Sequence, residues 1–228
     1  MELVPLHGWN LSPKQAVALQ RELRERLILR PPPGMKVERV AGADISMSRG
    51  EDTAYGGLVV LDAGSLEPMA KVSAAVKLLF PYVPGLLSFR ELPVLSEAWA
   101  RLNVRPDVLI FDGQGTAHPR RFGLACHGGL LFGVPSIGCA KSLLVGGHGP
   151  LGTERGSVAE ITHAGEVVGM AVRTRDNVLP VYVSPGHMMD LPTAVDLVLR
   201  VTSRYREPET TRHAHRLVNE VRRSARER

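Results

Sequence analysis

The chain has 228 residues, 44% of them hydrophobic and 22% charged, with a formal net charge of +5 at pH 7. These values suit a globular chain with ample core, and without a long apolar run they exclude a disordered or membrane-spanning class. The positive excess is concentrated: from Arg200 to Arg228 nine arginines face four glutamates, so a basic C-terminal helix or tail at about 204–228 either binds nucleic acid or another polyanion or is simply a solvated helix end.

The N-terminus MELVPLHGWN lacks the basic and apolar regions of a signal peptide, which predicts a cytoplasmic protein. Ser12, Pro13 and Gln15 form a helix start, with Ser as N-cap, Pro in the first turn and Gln three residues on. The helix is expected to run to about Arg30, where Pro31-Pro32-Pro33-Gly34 stops it. Three strands follow, at Val37–Met47, Gly56–Asp62 and Ala70–Leu79, with Gly50, Gly56-Gly57 and Ala63-Gly64-Ser65 read as the turns between them. A helix is predicted from Ser88 to Leu102, with Pro93 in its first turn. The fully apolar Val108–Phe111 reads as a strand buried in a parallel region.

Beyond it the pattern predicts a helix at Gly123–Gly133, a strand at Ser136–Gly138 and a loop or hairpin over Gly146–Gly156. Strands are expected at Val167–Arg173 and Val178–Val183, then a helix at Leu191–Ser203. With no repeats and no linker, residues 1–228 read as a single domain. A meander followed by alternating helices and strands predicts an α/β, ribonuclease H-like fold: a mixed central sheet flanked by helices. The two cysteines, Cys126 and Cys139, are too few for a disulfide framework and match no zinc spacing.

Three carboxylates stand out. Asp44 lies in the apolar strand VAGADISM, where a carboxylate is costly without a partner. It is either a strand-edge acceptor of backbone hydrogen bonds or a ligand. Asp112 poses the same choice at the end of VLIF, and ends of adjacent central strands lie close enough for two carboxylates to share a cation. Glu91 sits early in the intervening helix, where the macrodipole alone would favour it. Together they form a set of hard oxygen ligands that selects Mg²⁺ or Mn²⁺ over zinc and suits hydrolysis of a phosphodiester.

Lys141, in GCAKS, pairs with that cluster or a phosphate, or else snorkels from a helix start. His118, Arg120 and Arg121 end a glycine-rich loop that lacks the GK[ST] of a Walker loop. The arginines fit phosphate by bidentate hydrogen bonding, or form a solvated turn. Pro81-Tyr82-Val83-Pro84-Gly85 holds an aromatic between two prolines, a stiff piece that either wedges between bases or packs as a loop.

PYVPGLLSFRE, FDGQGTAHPRRFGLACHGG and PSIGCAKS, in this order and spacing, resemble the endonuclease V family, and VYVSPGH at 181–187 and TRHAH at 211–215 are similar to it too. The resemblance covers about Ser12 to Val221. It implies a ribonuclease H-like fold and Mg²⁺-dependent hydrolysis of the second phosphodiester bond 3′ to a deoxyinosine, leaving 3′-hydroxyl and 5′-phosphate ends. Matched motif by motif, Asp44, Glu91 and Asp112 are the expected metal ligands, Lys141 an active-site lysine and His215 a histidine near the metal, with His213 competing for that role. Pro81, Tyr82, Val83 and Pro84 match a strand-separating wedge. Gly85, Leu87, Gly113, His118 and Gly123 match a pocket for a flipped base, built largely from backbone, which glycine allows to approach closely. Gln114 stands where a smaller or different residue is expected.

The implied partner is DNA carrying deoxyinosine or another deaminated or mismatched base, with Mn²⁺ able to replace Mg²⁺, no membrane contact and a monomeric protein. Two other readings are an endoribonuclease cutting single-stranded RNA at inosine, and a non-catalytic inosine-binding or bent-DNA-binding module. A binder has no need of three clustered carboxylates, which argues against the module.

Overall fold

The computed structural model describes residues 1–47 and 52–227, so the expected turn at Gly50 lies outside the described residues. In chain order the elements are α1 (Pro13–Arg24), β1 (Arg39–Met47), β2 (Thr53–Asp62), β3 (Pro68–Lys77), α2 (Leu87–Ala100), β4 (Val108–Phe111), α3 (Leu124–Phe132), β5 (Ser136–Ala140), β6 (Gly147–His148), β7 (Val158–His163), β8 (Glu166–Val172), β9 (Val181–Pro185), α4 (Leu191–Arg200) and α5 (Glu209–Arg226). The strands form one nine-stranded sheet in the order β3-β2-β1-β4-β5-β9-β8-β7-β6. The first three make an antiparallel meander, β1, β4 and β5 run parallel, and β9 returns antiparallel to β5. This is the ribonuclease H-like arrangement, a mixed sheet with helices on both faces.

The period of two along the central strands assigns each face its helices. Ala41 and Ala43 of β1 and Leu109 and Phe111 of β4 pack with Leu92, Leu95 and Trp99 of α2 and Phe132 of α3. Their alternates Val40, Val108 and Ile110 pack with Leu197 and Val198 of α4 and Ala214 of α5. Burial on both sides explains why VLIF is wholly apolar. Among the described residues no helix is long and apolar enough to cross a membrane.

The structure changes several boundaries for identifiable reasons. Helix α1 has the expected capping box at Ser12 and Gln15 but ends at Arg24, short of the prolines. The chain beyond it is drawn away by tertiary contacts: the Ile28 N–H donates to His187 Nδ1 at 3.3 Å, and Leu27 packs with Leu23 and Phe122. Gly56 and Gly57 form no turn; they lie within β2, paired with Ile45 and Asp44. A Cβ on Gly56 would sit 3.0 Å from Val94 of α2, and one on Gly57 2.7 Å from Val218 of α5, so the pair lets helices close on both faces. Pro93 lies inside α2 and not in its first turn. Strand β7 lies where the sequence pattern marks no element. It joins β8 through Ala164 and Gly165, whose φ values of 54° and 80° make the tight hairpin turn.

Helix α5 lies so close to β1 that a Cβ on Gly42 would fall 2.1 Å from the Thr210 carbonyl oxygen. Backbone cannot yield as a flexible side chain can, so Gly42→Ala is expected to cost about 3 kcal/mol, the upper end of overpacking penalties. Gly149→Ala, at a position with nothing within 4 Å, should stay within about 0.5 kcal/mol of wild type. Urea unfolding of the two variants checks the contrast.

Candidate active site

Parallel pairing of β1 with β4 aligns Ala43 with Phe111, so Asp44 and Asp112 are the next residues in line. The Asp112 N–H donates to Ala43 O at 3.3 Å, continuing the ladder by one step. Glu91 approaches from α2, and both Glu91 and Asp44 are buried. Burial, then the charges of Asp44 and Asp112, push the Glu91 carboxyl up to about 8. Asp44 is raised by burial and by Asp112, against the opposing pull of hydrogen bonds from His215 and the Ile45 N–H. These directions are those expected of carboxylates sharing a poorly solvated site.

Cationic and polar groups line the other side of the cluster. Lys141 Nζ lies 2.6 Å from Asp112 Oδ2 and 3.2 Å from Glu207 Oε2. Burial disfavours the Lys141 charge, but the hydrogen bond and charge of Asp112, reinforced by Glu207, outweigh it and raise its pKa. His215 Nδ1 is 2.7 Å from Asp44 Oδ2. Asn219 fixes the ring's tautomer: its Oδ1 accepts from Ser46 Oγ and Arg222 Nη2, both at 3.1 Å, which leaves its Nδ2 to donate to His215 Nε2 at 3.0 Å. His215, not His213, reaches the cluster, and His187 lies elsewhere, accepting from Ile28.

Among the described residues, no group of three or more His, Cys, Asp or Glu side chains is arranged to hold a metal ion. The ammonium of Lys141 and the imidazole of His215 engage one oxygen each of Asp112 and Asp44. The donor chemistry nevertheless fits a hard cation. The Glu91 carboxylate forms no hydrogen bond or ion pair with another described residue, and its charge is opposed by two neighbouring carboxylates. Oxygen donors so placed are of the kind a hard cation would take.

Beside the cluster lies a cavity of about 390 Å³ whose lining includes Asp112 and Lys141. Gly85, Leu87, Gly113, His118 and Gly123 all line it, as do Tyr82, Val83 and Pro84, whereas Pro81 stands outside. Tyr82 is 71% exposed, so it projects from the cavity rim in place of packing as a closed loop. Gly85 has φ +77°, and its carbonyl accepts from Gln20 Nε2 at 3.0 Å, His118 Nε2 at 3.0 Å and Arg120 Nη2 at 2.6 Å. His118 therefore carries its proton on Nε2 and accepts from the Arg120 N–H on Nδ1. Burial, then the Arg120 charge, lowers its pKa to about 4, so it is neutral at pH 7.

The VYVSPGH segment supports the glycine-rich loop: Ser184 Oγ accepts from the Gly115 N–H at 2.9 Å and Pro185 O from the Thr116 N–H at 2.8 Å. Gln114, unexpected from the loop pattern, ties that loop to the next one by donating from Nε2 to Ser142 O at 2.9 Å. Arg121 turns away to Glu166 and His163. Gln20, Glu207 and Asn219 were not identified from the sequence. A signal existed only for Gln20, a polar residue on the buried stripe Ala16–Gln20–Leu23 of α1.

The family model for endonuclease V matches residues 21–216. Endonuclease V of Myxococcus xanthus is 73% identical over 216 residues, covering 95% of this chain and 92% of that protein. The crystal structure of endonuclease V from Streptomyces avermitilis superposes with a TM-score of 0.91 at 43% identity, covering 96% of each chain. That of the Ciona intestinalis enzyme, in complex with a 24mer DNA containing an inosine followed by a ribo-adenosine, gives a TM-score of 0.82 at 29% identity, covering 93% of this chain and 98% of that one.

The raised pKa of Glu91 has a measurable consequence. The folded chain keeps a proton there that the unfolded chain releases, so the Glu91 contribution to stability is complete below its ordinary value of 4.5 and is lost as pH rises to about 8. Glu91→Gln, uncharged throughout, is expected to flatten that decline. Thermal midpoints of both proteins in chelator, from about pH 5 to about pH 9, should fall less for the variant; equal slopes would refute the assignment.

Proposed function

The chain belongs to the endonuclease V family, and from that premise we propose that it is a DNA repair endonuclease that recognises deoxyinosine and hydrolyses the second phosphodiester bond 3′ to it, leaving 3′-hydroxyl and 5′-phosphate ends. The observation that carries the reading is the cavity's shared wall. Asp112 and Lys141 belong both to the cavity and to the carboxylate cluster, so a base lodged in the first keeps its own strand beside the second. The inosine-containing DNA bound by the Ciona protein supports the choice of base.

Asp44, Glu91 and Asp112 would hold Mg²⁺, or Mn²⁺ in its place. Bound there, the ion would supply a water of lowered pKa and would neutralise charge building on the phosphate. The chain's own groups do the rest. His215, held by Asn219, donates to Asp44 and fixes the orientation of that carboxylate. Lys141 is anchored between Asp112 and Glu207, and its ammonium pairs with the phosphate undergoing hydrolysis while Glu207 retains it in the site.

Recognition falls to the stiff segment and the pocket. Prolines on both sides fix the backbone around the exposed Tyr82, which enters the duplex next to the lesion. Flipping needs least energy at a mispaired base, which favours deaminated sites. Arginines of α5 add sequence-independent attraction to phosphates that weakens steeply with salt.

A second reading, cleavage at inosine in RNA, is favoured by one finding: the nucleotide after the inosine in the Ciona complex is a ribo-adenosine. Competition between matched DNA and RNA strands separates the two. The protein is expected to act as a monomer in the cytoplasm.

The primary test is cleavage of an end-labelled duplex carrying one deoxyinosine, in Mg²⁺ and in EDTA, mapped to the nucleotide. A nick at the second phosphodiester 3′ to the lesion, lost in EDTA, is expected. Asp44→Ala and Asp112→Ala should each lower kcat by about a thousandfold or more, since several kcal/mol of charge stabilisation would be lost, with circular dichroism unchanged. Normal cutting by both variants would refute the metal assignment.

A further inference from the structure

Gln20, wholly buried in the middle of α1, turns its amide toward the cavity. A buried amide is costly unless its hydrogen bonds are made. Here Nε2 donates to Gly85 O at 3.0 Å and to Phe122 O at 3.1 Å, while Oε1 accepts from Arg120 Nε. Gly85 ends the Pro81–Pro84 segment that leads into α2. Phe122 immediately precedes Gly123, the N-cap of α3. Both glycines line the cavity. One nitrogen thus holds a carbonyl from each of two walls, and the oxygen of the same amide aims the guanidinium whose Nη2 also donates to Gly85 O.

We propose that Gln20 is a positioning residue: it fixes the spacing between the Gly85 and Gly123 walls and so sets the fit of a purine base between them. The inference rests on the reading of this cavity as the base pocket. Its physical basis is geometric. Hydrogen bonds near 3 Å tolerate only a few tenths of an ångström before weakening, so neither wall can drift without losing a bond to a side chain anchored in α1. Arg120 and His118 also grip Gly85, but both belong to the loop on the Gly123 side and move with it. Among the described residues, Gln20 is the side chain that hydrogen-bonds both walls from a third element. The role is in binding, not in bond cleavage, because among the described residues no hydrogen bond or ion pair joins the amide to Asp44, Glu91 or Asp112.

Gln20→Met keeps the buried volume and removes the amide. Three readouts apply to the full-length protein: steady-state cleavage of the deoxyinosine duplex, anisotropy binding of the same duplex in EDTA, and melting by circular dichroism. KM and the metal-free Kd are expected to rise about tenfold, and the preference over a matched deoxyadenosine duplex to shrink comparably. The loss should appear in KM with kcat within about twofold. A folded variant with unchanged KM, Kd and preference overturns the proposal, as does a fall in activity that merely follows the unfolded fraction. Gln20→Asn, the same amide one methylene shorter, reaches one carbonyl but not both. It is expected to show the same loss, and serves if the Met variant does not fold; wild-type KM in Gln20→Asn overturns the proposal. Wild-type protein that neither binds nor cuts the deoxyinosine duplex rejects the base-pocket reading itself, a different failure.

Discussion

Asp44, within β1, stands beside Asp112, the residue just past the end of the parallel strand β4, and much of the molecule answers to that juxtaposition. Pairing of β1 with β4 brings Asp44 and Asp112 into neighbouring register, and α2 adds Glu91 to the same poorly solvated site. Like charges so placed repel strongly. The fold meets the repulsion with groups from distant segments: Lys141 after β5, Glu207 as its second anchor, and His215 with Asn219 on α5. Close approach of the helices that carry these groups depends in turn on glycines, Gly42 and Gly57 facing α5 and Gly56 facing α2.

The cavity and the carboxylate cluster share a boundary. The loop from Gly113 to Gly123 begins at a cluster carboxylate and ends at the N-cap of α3, with β9 beneath it through Ser184 and Pro185. The same loop therefore feels both the charge balance at Asp112 and the shape of the cavity. The neutral His118, held by Gly85 at one ring nitrogen and by the Arg120 backbone at the other, keeps the cavity side of the loop free of a further positive charge.

The parts legible in the sequence are those set by local chemistry. The capping box at Ser12, the apolar VLIF strand, and Gly123 and Gly133 bracketing α3 fall where expected. The motif residues for wedge and pocket do converge on one cavity, apart from Pro81. What escaped was set by tertiary contact. Gly56-Gly57 resembles a turn until α2 and α5 are seen to press on it. Strand β7 ends in an Ala-Gly turn in which Ala164 takes a positive φ, a conformation that alanine does not advertise. Glu207 and Asn219 look like ordinary polar residues of a basic helix region; their significance lies in what they face across the chain.

The pairing of Asp44 with His215 spans 171 positions, and this gives the site a history as well as a geometry. During synthesis the meander bearing Asp44 leaves the ribosome well before α5, which packs across β1 and β2. A contact between such distant residues cannot form until the later segment is available. Until α5 has been made, the face of β1 that it covers stays open and Asp44 is without its His215 partner.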